Sequence, residues 1–179
     1  HPPSRPGRTA GLVAPLFSLR SDTDWGIGDF GALREAIDIA AEAGMHAVQL
    51  LPISETTSTR GTADSYPYNA ISVDALHPIY SDPEALPALP SKELKAFLRE
   101  AKALRQLPVV DYPRVLELKE RFLRRAFELQ GKADLTSKDF RRFYDEAAAW
   151  LRPYALYCVL RDQFGSGTPS DWAGWEAYD

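Results

Sequence analysis

The chain has 179 residues, of which 45% are hydrophobic and 11% aromatic, so it can bury a core of ordinary domain size. Its formal net charge of −4 comes from 21 basic and 25 acidic residues spread along the sequence, and no basic stripe is available to neutralise phosphates. This composition excludes a disordered chain and disfavours nucleic acid as a partner.

The first part of the chain predicts a strand, a helix and a second strand. Residues 11–19 are apolar enough for a buried strand, in which Pro15 favours an irregular or edge position. Asp29 is placed to cap an amphipathic helix that Gly44 ends. Residues 47–51 are short and apolar and lie between glycine and proline, which indicates a fully buried strand. A right-handed crossover makes the two strands parallel, so the predicted fold class is α/β.

The second part of the chain has a helical pattern from Ser91 onward. Apolar residues recur at helical spacing in two successive stripes, one over residues 94–104 and the other over residues 115–129. A third helix is predicted to begin at Ser137 and to be interrupted at Pro153, because proline lacks the amide donor. Helix is expected to resume after the proline and to stop near residue 165. This half is interpreted as a helical subdomain inserted after the second strand.

Two loops follow the predicted strands, at the end of a parallel sheet where active sites lie. The first covers residues 18–28 and the second covers residues 53–69. The second loop is long and polar, and it carries Tyr66 and Tyr68 on either side of a proline. A tyrosine offers a flat apolar face with a hydroxyl at its edge, which suits a pyranose ring. Composition alone leaves open that both tyrosines only brace the loop or plug its mouth.

Other chemically versatile side chains are interpreted as structural. The lone Cys158 lies in an apolar run, which predicts a buried thiol. The glycines at 26 and 28 lack the third glycine and the lysine of a phosphate loop, so they predict a tight turn. The three histidines have no ligand spacing, and neither a metal nor a cofactor is predicted. A solvated helix face is predicted for the basic residues Lys119, Arg121, Arg124 and Arg125.

The loop carboxylates are candidates for a glycosidase pair. A retaining glycosidase needs a carboxylate nucleophile and a protonatable partner about 5 Å apart. Sequence spacing does not show that distance, so no pair is chosen. The candidates are Asp24, Asp29, Glu55 and Asp64.

Three blocks of sequence are informative in their order: residues 17–22 (FSLRSD), 25–30 (WGIGDF) and 64–69 (DSYPYN). Their order and spacing resemble the 4-α-glucanotransferases, the amylomaltases or disproportionating enzymes. Residues 150–156 (WLRPYAL) extend the resemblance into the helical half. The third block, together with residues 75–78 (ALHP), looks closest to the maltose-metabolising branch of the family. Members of that branch resemble the plant cytosolic disproportionating enzymes and carry starch-binding domains before the catalytic barrel.

The resemblance implies an architecture and an activity. Residues 1–90 are expected to be the start of a (β/α)8 TIM barrel, and residues 91–179 a helical insertion subdomain of the same catalytic domain. The remainder of that barrel is then a partner of the chain. The implied activity is the transfer of glucosyl or maltosyl units between α-1,4-glucans, such as maltose, maltodextrins, glycogen or starch. It follows a retaining double displacement and needs no cofactor, and the implied ligand is an α-1,4-glucan or a maltooligosaccharide.

The resemblance also implies which residues bind substrate. The family has a Pro-Tyr pair whose tyrosine packs on the sugar at the cleavage point, and Pro67 and Tyr68 match that pair. Many members have serine before this proline, where the chain has Tyr66. The expected substrate-binding residues are Asp64, Ser65, Pro67, Tyr68 and Asn69. The catalytic carboxylates of the family lie on later barrel strands, so no catalytic residue is assigned to this segment.

Two other functions fit the same residues. A hydrolytic α-glucan-active enzyme would release the sugar to water, and a non-catalytic glucan-binding segment would account for the lack of recognisable catalytic acids. A regulatory helical protein is a more distant alternative. The chain begins at His1 without methionine and ends without a polar tail, which predicts a segment of a longer protein. It shows no signal-peptide pattern and no apolar stretch near the roughly 20 residues of a membrane span, which favours a cytoplasmic location.

Overall fold

The computed structural model describes residues 9–86 and 89–174. In this part of the chain a small sheet and one helix come first, and three longer helices follow. The strands and helices are β1 (Gly11–Val13), α1 (Phe30–Glu42), β2 (Ala47–Gln49), α2 (Ser91–Arg105), α3 (Tyr112–Thr136) and α4 (Lys138–Phe164). Short 3-10 helices lie in the connections, at Leu16–Ser18, Thr62–Ser65, Pro78–Tyr80, Pro83–Ala85 and Pro169–Asp171.

The two strands form a parallel pair, as the sequence predicts. Leu12 lies opposite Val48, and α1 connects the strands. Gly11 permits their close approach, because a Cβ atom at this position would lie 2.9 Å from the carbonyl oxygen of Ala47. The described residues therefore contain one βαβ unit followed by helices, which agrees with a part of an α/β fold.

Both strands are shorter and more exposed than predicted. The predicted strand over residues 11–19 ends at Val13, and one further bond joins the Ala14 amide to the Gln49 carbonyl at 3.0 Å. Pro15 has no amide hydrogen, so the ladder stops there and the chain turns into a 3-10 helix. β2 is not fully buried either, since Ala47 and Gln49 are exposed. A strand is fully buried only where both faces of its sheet are covered, and the face that carries Ala47 and Gln49 is exposed in the described residues.

Helix α1 begins and ends where the sequence predicts. The Asp29 side chain accepts hydrogen bonds from the Gly31 and Ala32 amides, at 3.1 and 3.2 Å, and thereby caps the first turn. Gly44 follows the last turn with a φ of +73°, a conformation that favours glycine. The apolar face of this helix is only partly covered, because Ala40 is buried whereas Ile37 is largely exposed.

The main core joins the loop after β1 to the helical half of the chain. The indole of Trp25 meets the Phe122 ring edge to face, with 5.0 Å between ring centroids. Gly26 has a φ of +93° and lies so close to α2 and α3 that a Cβ would be 2.8 Å from the Cβ of Leu104. The predicted tight turn is thus present, and its glycine is required by packing. Core residues come from both sides of residue 90, where we predict the subdomain boundary.

Helix α4 is continuous, although the sequence predicts an interruption at Pro153. The helix begins after Ser137, whose hydroxyl accepts the Phe140 amide at 3.1 Å, and it ends at Gly165 with a φ of +69°. Proline removes one amide donor from the helix, but side chains beyond it bond to other segments and hold the helix together. Cys158, predicted to be buried, is half-buried. Within the described residues, no helix is both long enough and apolar enough to cross a membrane.

The basic run on α3 differs from the prediction most clearly at Lys119. Lys119 is fully buried, and its Nζ lies 3.3 Å from an Asp29 carboxylate oxygen and 2.7 Å from the Ser81 carbonyl oxygen. Burial lowers the pKa of Lys119, although the Asp29 charge opposes that shift. Arg121 and Arg124 are exposed, as predicted, whereas Arg125 is half-buried and pairs with two glutamates.

Candidate functional site

The loop after β2, residues 53–69, is closed at its base by the segment that follows it. The Glu55 amide donates to the Ala75 carbonyl at 2.8 Å, and the His77 amide donates to the Ile53 carbonyl at 3.0 Å. Ser54 and Leu76 form an antiparallel bridge between the same two segments. The β2 loop therefore leaves the carboxyl end of β2, projects outward and returns beside its own origin. This is the end of a parallel sheet at which substrate sites are expected.

Asp64 organises the middle of the β2 loop. Its side chain is buried, and its carboxylate accepts the backbone amides of Ser58, Thr59 and Arg60 at 3.1, 3.0 and 2.7 Å. The Thr59 hydroxyl donates to the same carboxylate at 3.2 Å. Hydrogen bonds to a charged acceptor are stronger than those between neutral groups. Asp64 thus fixes the turn over residues 58–64, and its carboxylate faces the backbone of its own loop.

Glu55 forms a second buried attachment, between the β2 loop and α4. One carboxylate oxygen accepts the Thr57 amide at 2.6 Å, and the other accepts the Tyr154 hydroxyl at 3.1 Å. Burial raises the pKa of Tyr154, and the nearby charge of Glu55 raises it further. Tyr154 therefore stays protonated at neutral pH and donates to Glu55.

A chain of hydroxyl hydrogen bonds connects His77 with the β2 loop. His77 Nδ1 accepts the Ile79 amide at 3.2 Å, so the proton of the neutral ring is assigned to Nε2, which faces the Tyr112 hydroxyl. Tyr112 lies 3.3 Å from the Thr56 hydroxyl, which donates to the Asp64 carbonyl at 2.5 Å. Burial lowers the pKa of His77, although Glu55 and Asp64 oppose the shift, and burial raises the pKa of Tyr112. Both groups are accordingly neutral in this chain of bonds.

The tip of the β2 loop differs from its interior, because its aromatic residues face solvent. Tyr66 and Tyr68 are each 61% exposed, and their ring centroids lie 5.6 Å apart with 48° between the ring planes. Pro67 lies between them and is half-buried, while Ser65 and Asn69 are exposed. The Asn69 amide donates to the Tyr66 carbonyl at 3.2 Å and closes the turn. The tip presents two aromatic faces, their hydroxyls and neighbouring polar groups, a surface that can pack on a sugar ring.

The structure therefore separates the five predicted substrate-binding residues into two groups. Ser65, Pro67, Tyr68 and Asn69 lie together at the tip, whereas Asp64 lies beneath it. Whether any of them contacts a glucan stays a prediction.

The loop carboxylates considered as a glycosidase pair are all engaged in structural hydrogen bonds. Asp24 accepts the Gly26 amide at 2.8 Å and forms an ion pair with Arg20 at the same distance. Asp29 caps α1, while Glu55 and Asp64 hold the β2 loop. Within residues 9–86 and 89–174, no group of three or more His, Cys, Asp or Glu side chains is arranged to hold a metal ion. This arrangement explains how the loop keeps its shape, and it assigns these four carboxylates no catalytic role.

Sequence reasoning missed the residues that hold the β2 loop from the helical side. Tyr112 lies in α3, and Tyr154 and Arg161 lie in α4, where Arg161 donates to the Thr57 carbonyl at 2.8 Å. These partners are separated from the loop by 56, 99 and 104 residues along the chain. One available signal was the amphipathic character of these side chains, since buried tyrosine and arginine need polar partners.

Comparison with known proteins identifies relatives of this chain. The family model described as 4-alpha-glucanotransferase matches residues 14–179. The rice (Oryza sativa subsp. japonica) protein 4-alpha-glucanotransferase DPE2 is 40% identical over 167 residues, which are 93% of this chain and 18% of that protein. The 4-alpha-glucanotransferase of Chlamydia muridarum is 33% identical over 168 residues, 91% of this chain and 30% of that protein. That of Aquifex aeolicus is 31% identical over an alignment 180 residues long, which covers 94% of this chain and 31% of that protein.

The chain thus spans between 18% and 31% of the length of these relatives. The family model covers nearly the whole chain and includes the loop after β1, the β2 loop and all of the helical half. On this evidence, the chain belongs to the 4-α-glucanotransferase family.

Proposed function

We propose that the chain is the first part of the catalytic (β/α)8 barrel of a 4-α-glucanotransferase. In this proposal β1, α1 and β2 are the first unit of the barrel, up to about residue 90, and residues 91–179 are its helical insertion subdomain. The parallel strands with their crossover helix support the first assignment, and the three consecutive long helices support the second. The exposed strands would then pair with the remainder of the barrel, which is the closest partner of this segment.

The proposed reaction transfers glucosyl or maltosyl units between α-1,4-glucans in two displacements. A carboxylate bonds to the anomeric carbon while the glycosidic C–O bond breaks, and the departing 4-hydroxyl takes a proton from a carboxylic acid. The 4-hydroxyl of the acceptor then attacks the same carbon, gives its proton to that second carboxylate and frees the first one. By the family resemblance, these carboxylates lie outside this chain, which supplies part of the substrate site. A cytoplasmic location is part of the proposal.

One observation carries the assignment of the site: an exposed aromatic tip stands on a loop whose interior is fixed by buried polar groups. Tyr68 offers a ring face to the sugar at the cleavage point, while Ser65 and Asn69 are placed to bond to sugar hydroxyls, with Pro67 holding the tyrosine. Asp64 acts through the shape of the loop. Such a surface is ordered before the glucan arrives, so little conformational freedom is lost on binding.

Product analysis with maltotriose tests this function in the full-length protein that carries the chain. A transferase produces glucose together with oligosaccharides longer than maltotriose, because the glycosyl unit passes to another sugar. A hydrolytic α-glucan-active enzyme produces only shorter sugars, and this result would replace the proposal with hydrolysis. A protein that binds maltooligosaccharides in a titration but forms no product would be a glucan-binding protein.

A further inference from the structure

Arg60 has an unusual backbone conformation in the middle of the β2 loop. Its φ is +59°, and among the described residues every other positive φ belongs to a glycine. An L-residue is disfavoured in this region because its Cβ approaches the following carbonyl oxygen. Such a residue persists where its surroundings specify the conformation. Its contacts therefore indicate what the loop gains from an arginine at this position.

The side chain of Arg60 joins the β2 loop to helices α3 and α4. Nη1 lies 2.5 Å from a carboxylate oxygen of Glu120 on α3, and Nη2 lies 2.9 Å from a carboxylate oxygen of Asp162 on α4. A guanidinium has donors directed along several axes, so one arginine can bridge two carboxylates where a lysine offers a single point charge. Asp162 also receives a bond from Arg161 Nε at 3.0 Å.

Asp162 is held in the charged state that its ion pairs need. Burial alone would raise the pKa of Asp162, but hydrogen bonds from Arg60 and Arg161 outweigh it and lower the pKa. Arg161 in turn donates to the Thr57 carbonyl at 2.8 Å. The β2 loop is consequently attached to the helices at two neighbouring points. Arg161 of α4 bonds to Thr57 of the loop, and Arg60 of the loop pairs with carboxylates of α3 and α4.

A short series of backbone hydrogen bonds connects Arg60 to the tip of the β2 loop. The Arg60 amide donates to the Asp64 carboxylate, and residues 62–65 form a 3-10 helix directly after it. The Tyr66 amide then donates to the Ala63 carbonyl at 3.4 Å. The Gly61 amide donates to the Thr59 hydroxyl at 3.2 Å, and the Asp64 amide donates to the Gly61 carbonyl at 3.2 Å. A displacement of Arg60 from the helices should therefore displace the tyrosines as well.

We propose that Arg60 is a positioning residue for glucan binding, because it fixes the β2 loop against α3 and α4 and so presents Tyr68 in the conformation that receives the sugar. This inference rests on the proposed function of the tip. In this proposal α3 and α4 form the support that orients the β2 loop. Arg60 itself is not a catalytic residue, since it acts through the placement of another side chain.

The expected effect is on binding more than on turnover. Without the anchor the loop would occupy the sugar-accepting conformation for a smaller fraction of the time, and the apparent affinity falls by that fraction. A saturating concentration of glucan restores the competent conformation, so kcat should change little. A merely structural role would lower the amount of active protein, and therefore kcat, without raising KM.

The test compares Arg60→Ala with Arg125→Ala in the full-length protein. Arg125 is a matched control, because it also pairs with two carboxylates, Glu93 at 2.6 Å and Glu128 at 2.9 Å, and the two arginine side chains are 35% and 39% exposed. It joins α2 to α3 and has no ion pair with the β2 loop. We expect Arg60→Ala to raise KM for maltotriose about tenfold with kcat within about twofold, as for a tenfold smaller competent fraction. Arg125→Ala should leave both constants unchanged.

Two further variants separate the anchor from the backbone. Arg60→Gly permits the positive φ without strain but loses both ion pairs, so it should raise KM as much as the alanine variant does. Glu120→Gln leaves the loop sequence intact and weakens one of the two pairs, so it should raise KM about threefold, roughly the square root of the full effect if the two pairs contribute alike. A normal KM in Arg60→Gly would show that backbone conformation alone positions the loop and would overturn the proposal.

Hydrogen exchange of residues 54–69 gives a readout that does not depend on activity. The proposal expects faster exchange in Arg60→Ala and Glu120→Gln, and unchanged exchange in Arg125→Ala. Faster exchange with an unchanged KM would overturn the positioning role, as would unchanged exchange. If the wild-type protein transfers no sugar, the proposed function fails on its own. The same variants then decide the anchoring role by exchange and by titration with maltooligosaccharide.

Discussion

The interior and the tip of the β2 loop are built in opposite ways. The interior is buried, and its polar groups are paired with the loop backbone, with α3 and with α4. The tip exposes two tyrosines. Tyrosine can also be buried when its hydroxyl is hydrogen-bonded, so their exposure is a feature of this tip. The difference shows that one loop can have a rigid, buried interior and a solvent-exposed tip that is free to contact a ligand. Substitutions in the interior should change loop order, and those at the tip should change activity alone.

Asp64→Asn should give the largest change in loop order. An asparagine has one acceptor oxygen and would direct its NH2 group toward backbone amides, so several of the four hydrogen bonds would be lost. We expect local opening of residues 58–60 to become easier by about 3 kcal/mol, which is about 100-fold faster exchange. Hydrogen exchange on the full-length protein measures this. Asp74→Asn, an exposed carboxylate in the returning segment, is the control, and equal effects of both variants would contradict the role of Asp64.

Tyr68→Ala should have the next largest effect, and it should appear in activity. Loss of an aromatic face that a sugar covers is expected to cost about 2 kcal/mol in transition-state binding, or about 30-fold in kcat/KM for maltotriose. The thermal midpoint and the exchange of residues 58–60 should stay unchanged, because the side chain is exposed. Tyr66→Ala is the matched variant with equal exposure, for which we expect a fall of less than about fivefold, near 1 kcal/mol. A Tyr68 variant with normal kinetics would contradict the proposed site.

The sequence predicted elements well where the signal is local. The cap by Asp29 and the ends at Gly44 and Gly165 were found, because caps and left-handed turns depend on residues within one turn of helix. Lys119 was wrongly predicted to be exposed, although its spacing in the sequence indicates a buried position. It lies four residues after Val115 and three before Phe122, on the buried stripe of α3, and its charge outweighed that spacing in the interpretation.

The candidate site was predictable in part. Residues 64–69 were chosen because they resemble the substrate loop of the family, and their contact with a glucan stays a prediction. The attachments of the loop to Tyr154 and Arg161 were not predicted, since periodicity shows which face of a helix is apolar and does not identify its distant polar partner. The continuous helix through Pro153 was missed likewise, because those attachments lie beyond the proline and hold its second half in place.

Tyr112→Phe should change the interior by a smaller amount than Asp64→Asn. The substitution keeps the ring in the core but leaves His77 Nε2–H without its acceptor and removes one neighbour of the Thr56 hydroxyl. An unpaired buried donor costs about 1–3 kcal/mol, and we expect about tenfold faster exchange in residues 56–64. Tyr80→Phe is the control, because this buried tyrosine lies outside the chain of hydrogen bonds. Equal exchange in the two variants would show that the Tyr112 hydroxyl does not support the loop.

The smallest expected effect is a pH dependence of loop opening that originates at His77. Burial lowers the pKa of this ring in the folded loop, while an opened loop returns it toward 6.5. Below about pH 6.5 the opened state therefore binds more protons than the closed state, so the opening free energy decreases as the pH falls toward the lowered value and is constant above. Protonation would also place Nδ1–H against the Ile79 amide. Exchange of residues 56–64, corrected for intrinsic rates between pH 7.5 and 5, should show this decrease in wild type and in His46→Gln, whose histidine is exposed, but not in His77→Gln. A decrease that persists in His77→Gln would show that it does not originate at His77.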